Sequence, residues 1–444
     1  MSSHSVHAPP PVPGNAASSA SAALNARIFR RLMPLLVLSY VISFIDRTNI
    51  ALAKSHIEVD LGISAAAYGL GAGLFFLSYA LLEVPSNLIM HRVGARFWIT
   101  RIMVTWGLLS AGMAFITGET SFYVMRVLLG AAEAGLFPGV MLYLTYWFGR
   151  EERARAIGYF LLGVCIANIL SGPVGGALLQ MDGFLGWHGW QWMFVIEGLP
   201  AVALAWVVWK KLPDGPASAP WLTAAESREV LQRLQAEQDQ QASAGQVGHS
   251  LRDCLRDRQI WLAILVYFCH QISIYTVIFF LPGIIGTYGQ LSPLQIGTLN
   301  SVPWIAAAIG AAWLPRFATH PQRCRRMLLA GLATMAAGLL VAALAGKASP
   351  ALGLLGFSLT ALMFFVVQSV VFLFPASRLA GAGLAGGIAL VNTCGLVGGF
   401  IGPTVMGMIE QATGSTRNGL FIMAALLVVA ALASTRLRQG QETP

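Results

Sequence analysis

Residues 40–54 read YVISFIDRTNIALAK, and the reading of this stretch decides the fold. It lies inside an apolar run that starts at Leu32, yet Asp46 and Arg47 stand side by side within it. A charge at the centre of a bilayer costs roughly 2.5–3.5 kcal/mol on insertion scales. A chain that keeps two of them there either does not cross a membrane at this point or uses the pair.

The rest of the chain shows which. Of 444 residues, 56% are hydrophobic and 11% charged, with a mean hydropathy of +0.67; soluble chains carry about 25% charged residues. Apolar runs near the length of a bilayer span, about 20 residues, recur at 32–53, 68–90, 97–117, 121–147, 154–179, 190–211, 259–285, 294–314, 326–346, 350–374, 382–409 and 417–435. The expected fold is an all-α membrane protein of 12 transmembrane helices in two six-helix bundles.

The net charge of +9 is distributed unevenly. Of 28 Lys and Arg, twenty-three lie in or at the edge of segments facing one side, while Lys54, Lys347 and Arg417 face the other and Arg47 and Arg126 fall inside spans. By the positive-inside rule, this places both termini in the cytoplasm and argues against nucleic acid as a partner. The first 23 residues lack the basic and apolar regions of a signal peptide. Cys165, Cys254, Cys269, Cys324 and Cys394 show no disulfide or metal spacing, and no motif calls for a cofactor.

Between the sixth and seventh spans the composition turns polar. Thr223 and Glu226 form a T-x-x-E capping box that starts a short amphipathic helix. The domain reading is a disordered cytoplasmic tail at 1–26, a six-helix bundle at 27–211, a cytoplasmic linker at 212–258, a second bundle at 259–436 and a cytoplasmic tail at 437–444. Span 5, GYFLLGVCIANILSGPVGGALL, and span 11, GGIALVNTCGLVGGFIGPTVMG, echo each other: both are Gly-rich, both carry Asn and Cys, and their Gly-Pro pairs lie 230 residues apart. Internal symmetry of this kind marks transporters built from repeats, with substrate held between the halves.

The loop NLIMHRVGARFWITR, 87–101, resembles the signature loop of the major facilitator superfamily. Arg92, Gly94 and Arg96 match and take its gating role, while Asn87 and His91 depart from the usual Gly and acid. YVISFIDRTNIALA, LLEVPSNLIMHRVGAR, RVLLGAAEAGLFPGVMLYLTYWF and WQWMFVIEG resemble the anion:cation symporters of that superfamily, among them bacterial permeases for tartrate, phthalate, hydroxyphenylacetate and sugar acids. The resemblance implies the major facilitator fold, a bacterial inner-membrane location and a carrier that works as a monomer.

Well inside spans lie Asp46, Glu83, Glu133 and Glu197, with Arg47 and Arg126 as their basic counterparts. At 1.5 Å of rise per residue, Asp46 and Arg126 come out level, and Glu133 lies two turns from Arg126 on nearly the same face. The expectation is therefore an Asp46–Arg126 pair, with Arg47 turned about 100° away into a cavity toward Glu133 or an anionic substrate. A guanidinium offers a carboxylate a two-point fork. The resemblance implies that Asp46 and Glu133 carry the proton and that Arg47, with Tyr79 and Asn392, meets substrate; Arg126 completes the expected substrate set. Glu83, Asn168, His270, Gln271, Tyr275, Gln368 and Ser369 are further polar residues in spans, and Glu197 reads as a gate or packing residue.

No nucleophile–base pair, metal cluster or nucleotide motif appears, and twelve spans with a half repeat suit transport, so the reading is against an enzyme. The reading is proton-coupled symport of an organic carboxylate. A facilitator or exporter of the same fold is the alternative, and a transporter-like nutrient sensor a remote one. Hydroxy-dicarboxylate, sugar acid and aromatic acid all satisfy the same cation.

Overall fold

In hydrocarbon every backbone N–H and C=O must be satisfied within the protein, so an apolar chain of this kind crosses as helices. The computed structural model describes residues 13–243, 251–318, 320–379 and 381–438, and among these no strand occurs. The first half holds α1 (Pro13–Leu61), α2 (Ala65–Val93), α3 (Ala95–Gly112), α4 (Glu119–Glu133), α5 (Leu136–Thr145), α6 (Arg150–Leu179) and α7 (Gly189–Lys211). The linker carries α8 (Ala224–Ser243) and α9 (Leu251–Arg256). The second half holds α10 (Arg258–Gly286), α11 (Pro293–Trp313), α12 (Pro321–Ala345), α13 (Pro350–Arg378), α14 (Gly381–Thr413) and α15 (Arg417–Ser434).

Counting α4 and α5 as one broken span, the halves contribute six spans each. By length and composition, 11 helical segments among the described residues can cross a membrane. The remaining span, α11, is long enough at 21 residues but is diluted by Gln295, Thr298, Asn300 and Ser301. Those polar residues lie on a helix that packs on α6: Ser301 Oγ donates to the Ile169 carbonyl at 2.6 Å.

Packing partners repeat between the halves. α1 lies on α6 as α10 lies on α14; α3 lies on α7 as α12 lies on α15; α2 lies on α4 as α11 lies on α13. The two seams between halves, α2 on α14 and α6 on α11, are images of each other under the same operation. The seams are tightest at the face opposite the termini. There the Gly172 and Gly297 backbones meet so closely that a Cβ on Gly172 would stand 2.1 Å from the Gly297 carbonyl oxygen. Small residues at such a crossing let helix backbones touch, as membrane interfaces require.

Two expectations change. Of the stretch read as a tail, residues 1–12 lie outside the described residues, while α1 already begins at Pro13. This N-terminal extension is held by the linker: Arg233 donates to Ser21 Oγ at 3.2 Å and Asn25 Oδ1 at 2.8 Å, and Arg27 pairs with Glu226. Lys54, placed in an outer loop from sequence, is 4% exposed. Helix α1 continues past it to Leu61, and its ammonium lies 2.9 Å from Glu58 and 2.9 Å from Glu410 of α14.

The linker helix starts as its capping box dictates. The Thr223 amide donates to Glu226 Oε2 at 2.9 Å and the Glu226 amide to Thr223 Oγ1 at 3.2 Å. The Thr223 amide, and after it Arg27, hold the Glu226 carboxyl below the usual carboxylate range. Trp221, just upstream, stacks on Trp147 with ring centres 5.6 Å apart. Residues 439–444 of the C-terminal tail lie outside the described residues.

Candidate functional site

Helix α1 sorts its polar residues by face. Ser43 and Arg47 are one turn apart, so they share a face. Both reach Glu133 on α4: Ser43 Oγ donates at 2.5 Å, and the Arg47 guanidinium forms an ion pair with the same carboxylate oxygen. All three side chains are buried. The Arg47 guanidinium lies over the rings of Phe44 at 4.5 Å, Phe75 at 5.3 Å and Tyr79 at 5.3 Å. Its Nε has no acceptor among the described residues.

Asp46 points elsewhere, and the expected pair with Arg126 does not form. About 100° round the helix from Arg47, Asp46 faces α3 rather than α4. Trp106 Nε1 donates to its Oδ2 at 2.8 Å and Ser110 Oγ to its Oδ1 at 2.9 Å. Depth along the membrane was legible from residue counts, but the direction a side chain leaves the helix depends on which neighbour packs there. Arg126 satisfies itself on backbone instead, donating to the Gly71 carbonyl at 3.2 Å and the Ala72 carbonyl at 3.3 Å of α2. It lies 4.9 Å from the centre of the Phe75 ring and does not line the cavity.

Glu133 owes its position to a break in the fourth span. It ends α4; Ala134 is non-helical, and Gly135 takes φ +94° before α5 begins. Only glycine adopts that conformation without strain, and the site leaves no room for more, because a Cβ would sit 2.1 Å from Ser86 Oγ. Ser86 Oγ donates to the Ala134 carbonyl at 2.7 Å and accepts from Trp98 Nε1 at 2.9 Å, so the break does not leave that carbonyl unpaired. Broken helices at membrane depth are tolerated where protein satisfies them. The Glu133 carboxylate also stands at the negative end of the α4 dipole, which makes Arg47 its principal compensation.

Between the halves lies a cavity of 710 Å³. The first half contributes Arg47, Tyr79 and Glu83 to its wall, and the second half contributes Gln271, Gln368 and Asn392. Arg47 and Glu83 are the charged residues of the lining. Aromatic side chains, among them Tyr40, Phe137, Tyr267, Tyr275 and Trp304, make much of the remainder. The lining extends to Gly158, Pro315 and Ile388, toward the face that carries the termini and linker.

Several other sequence candidates are accounted for. Asn168 lines the cavity and donates to the Val164 carbonyl at 2.8 Å. Ser369 lines it and donates to the Phe365 carbonyl at 2.7 Å; Gln368 donates to Tyr267 Oη at 3.2 Å. His270 is wholly buried, with Nε2 3.0 Å from the Phe364 carbonyl, and is absent from the lining. The signature loop lies away from all of these. Gly94 takes φ +93°, the Arg96 amide donates to Asp214 Oδ1 at 2.9 Å, and the Arg96 guanidinium covers Trp209 at 4.6 Å, while Arg92 is exposed. Asp214, which follows α7, thus supplies a carboxylate to a loop whose own acid is replaced by His91.

The structure brings Arg47, Glu133 and Tyr79 together with Asn392 across the cavity, and leaves Asp46, Arg126 and the signature loop apart from them. Ser43, Trp106 and Ser110 were missed from sequence. A signal existed: Ser43–Arg47 and Trp106–Ser110 are both one-turn pairs, each converging on one acid.

The Major Facilitator Superfamily domain matches residues 36–403. This chain belongs to the Major Facilitator Superfamily. A protein named "Putative tartrate transporter" from Agrobacterium vitis is 41% identical over 416 residues, covering 92% of this chain and 94% of that protein. The quinolone resistance transporter of Acinetobacter baumannii is 40% identical over 402 residues, covering 90% of this chain and 91% of its own. The inward-open structure of the xylose transporter XylE from E. coli shares the fold with a TM-score of 0.73 at 14% identity, covering 93% of this chain and 97% of XylE. The chain is a multi-pass transporter of this superfamily and not an enzyme.

Proposed function

We propose that this chain is a proton-coupled symporter for an organic carboxylate, working by alternating access as a monomer in the bacterial inner membrane with both termini cytoplasmic. One observation carries the reading: Arg47 faces the cavity while its guanidinium is committed to Glu133, with Nε free of any acceptor among the described residues.

An anionic substrate entering the cavity meets Arg47 as its cation. The guanidinium then divides itself between the substrate and Glu133, and a second negative charge arrives where one cation stood. Like charges at such a site disfavour ionisation, so Glu133 binds a proton as the anion binds Arg47. Each ligand stabilises the other. A carrier holding both can close with its charges compensated; a carrier holding one must close over an unpaired charge, which is costly in a dry interior. Tyr79 and Asn392 orient the substrate from opposite halves, and Arg126 supplies standing positive charge behind Phe75. Arg92, Gly94 and Arg96 act as gating elements at the face of the termini. A relative named as a tartrate transporter supports an organic acid as cargo.

A second reading is a facilitator or exporter of the same fold, which takes support from the relative named for quinolone resistance. Uptake of labelled organic acids into proteoliposomes separates the two. Symport predicts accumulation under an imposed inward proton gradient and dissipation of that gradient by substrate. Accumulation that survives a protonophore and stops when sodium is removed would rule the proton out.

A further inference from the structure

The cavity wall carries an acid that the coupling of Arg47 to Glu133 does not use. Glu83 follows Tyr79 by four residues on α2, so the two share a face. Because α2 runs toward the face of the termini, Glu83 stands roughly 6 Å nearer that face than Tyr79. It is 9% exposed and lines the cavity. Asn87, one turn on, donates to the Glu83 main-chain carbonyl at 3.1 Å and not to its carboxylate. Among the described residues no side chain donates to that carboxylate, and the other charge of the lining, Arg47, is held by Glu133. A carboxylate shielded from water without a donor is costly, and a ligand that brings a donor removes that cost.

The rest of the wall suits a flat apolar body better than a polyol. Three of its polar side chains have already given a proton to protein: Asn168 to the Val164 carbonyl, Ser369 to the Phe365 carbonyl and Gln368 to Tyr267 Oη. Rings face the space between them. In the first half Phe137 lies against Tyr40 with centres 5.9 Å apart; in the second, Tyr267 lies against Phe372 at 4.9 Å and Trp304 against Phe364 at 5.8 Å. A row of hydroxyls here would leave water for few free donors, whereas an aromatic ring would gain edge and face contacts. A second carboxylate on the ligand would find no second cation in the lining and would meet Glu83.

We propose that Glu83 is a specificity residue. The cargo it selects is an aromatic acid with one carboxylate, held at Arg47, and a hydrogen-bond donor across the ring, held at Glu83. Arg47 lies over Tyr79, and Glu83 is one helical turn below it, a separation that a para-substituted ring spans. The same carboxylate turns away dicarboxylates. This inference rests on the carboxylate-symport reading and narrows its cargo, leaving the proton step at Glu133 as it stands.

The test is calorimetric binding of a matched series to the purified wild type and to Glu83→Gln: benzoate, para-hydroxybenzoate, para-aminomethylbenzoate and terephthalate, with tartrate as a polyhydroxy dicarboxylate. Wild type should bind a ring donor about tenfold tighter than benzoate, and should bind terephthalate and tartrate more weakly than benzoate. The hydroxyl and aminomethyl arms tell a neutral donor from a cationic one. In Glu83→Gln the donor preference should shrink and terephthalate should overtake benzoate, because an amide no longer repels the second carboxylate and can donate to it. A wild type that ranks terephthalate or tartrate above both ring donors overturns the proposal and leaves carboxylate symport intact; so does a ranking unchanged in Glu83→Gln, or no binding of either donor. Donor binding that is the same in Arg47→Lys as in wild type removes the underlying carboxylate reading instead. Should Glu83→Gln not fold, the wild-type ranking alone decides.

Discussion

Arg47 and Glu133 are a buried pair that a soluble protein could replace with apolar residues at little cost, whereas removing one partner alone costs about 3–5 kcal/mol. What the pair offers a carrier is exchangeability. Arg47→Lys keeps the charge but loses the planar fork and its stacking on Phe44, Phe75 and Tyr79. We expect substrate affinity to fall about tenfold or more, ~1.4 kcal/mol; near-normal binding in this variant, measured by thermal shift or competition, would take Arg47 out of the substrate site. Asp46→Asn is milder for stability than the sequence-based pairing with Arg126 implied. Its acceptor oxygen still serves one of Trp106 and Ser110, and Arg126 keeps its carbonyl partners, so the loss should fall well below the 3–5 kcal/mol of a broken buried pair. Denaturation of the purified variant checks this. The ionic half of the site was legible because charges inside apolar runs announce themselves. The indole and hydroxyl that hold Asp46 were not, because residues of those types are common in membrane helices and carry no charge to betray a partner.

At the scale of elements, the break between α4 and α5 places Glu133, and it was invisible in hydropathy because the sequence stays apolar across it. Gly135→Ala forces a side chain into positive φ and against Ser86 Oγ; strain of this kind costs on the order of 1–3 kcal/mol, and thermal unfolding of the variant should show it. The linker helix α8 makes a pH-dependent dock. Glu226 titrates below the usual carboxylate range in the folded protein, chiefly through the Thr223 amide and then Arg27. Its contribution is therefore complete above the unfolded value and is lost as pH falls through the lower, folded value. Hydrogen exchange in α8 should rise on strong acidification, and Glu226→Gln should raise it at neutral pH. Exchange that is the same in Glu226→Gln and wild type would place the dock elsewhere. The capping box that makes this possible was readable directly from T-x-x-E, because capping is a local code.

For the whole molecule, the repeat heard between spans 5 and 11 proves to relate entire packing patterns, seams included. Sequence showed it where glycines are dense, since backbone contact tolerates few substitutes; elsewhere interchangeable apolar residues erase it. The closed face adds an ionic latch that sequence did not reveal. Lys54 of the first half joins Glu410 of the second, with Glu58 alongside and the rings of Tyr68 and Phe280 at 5.4 and 5.3 Å. Lys54→Met should loosen that face, so an impermeant thiol reagent added there labels Tyr79→Cys severalfold faster in the double variant. Equal labelling assigns closure to the glycine contacts alone.

The central claim is that Glu133 carries the proton whose binding answers the anion at Arg47. Glu133→Gln mimics the protonated acid, and comparing its counterflow with its proton-driven uptake in proteoliposomes tests the claim most directly. The account predicts that substrate exchange persists while uphill accumulation disappears. Accumulation equal to wild type would place the coupling site elsewhere, and loss of counterflow together with accumulation would make Glu133 a residue that positions substrate or helix rather than one that carries the proton.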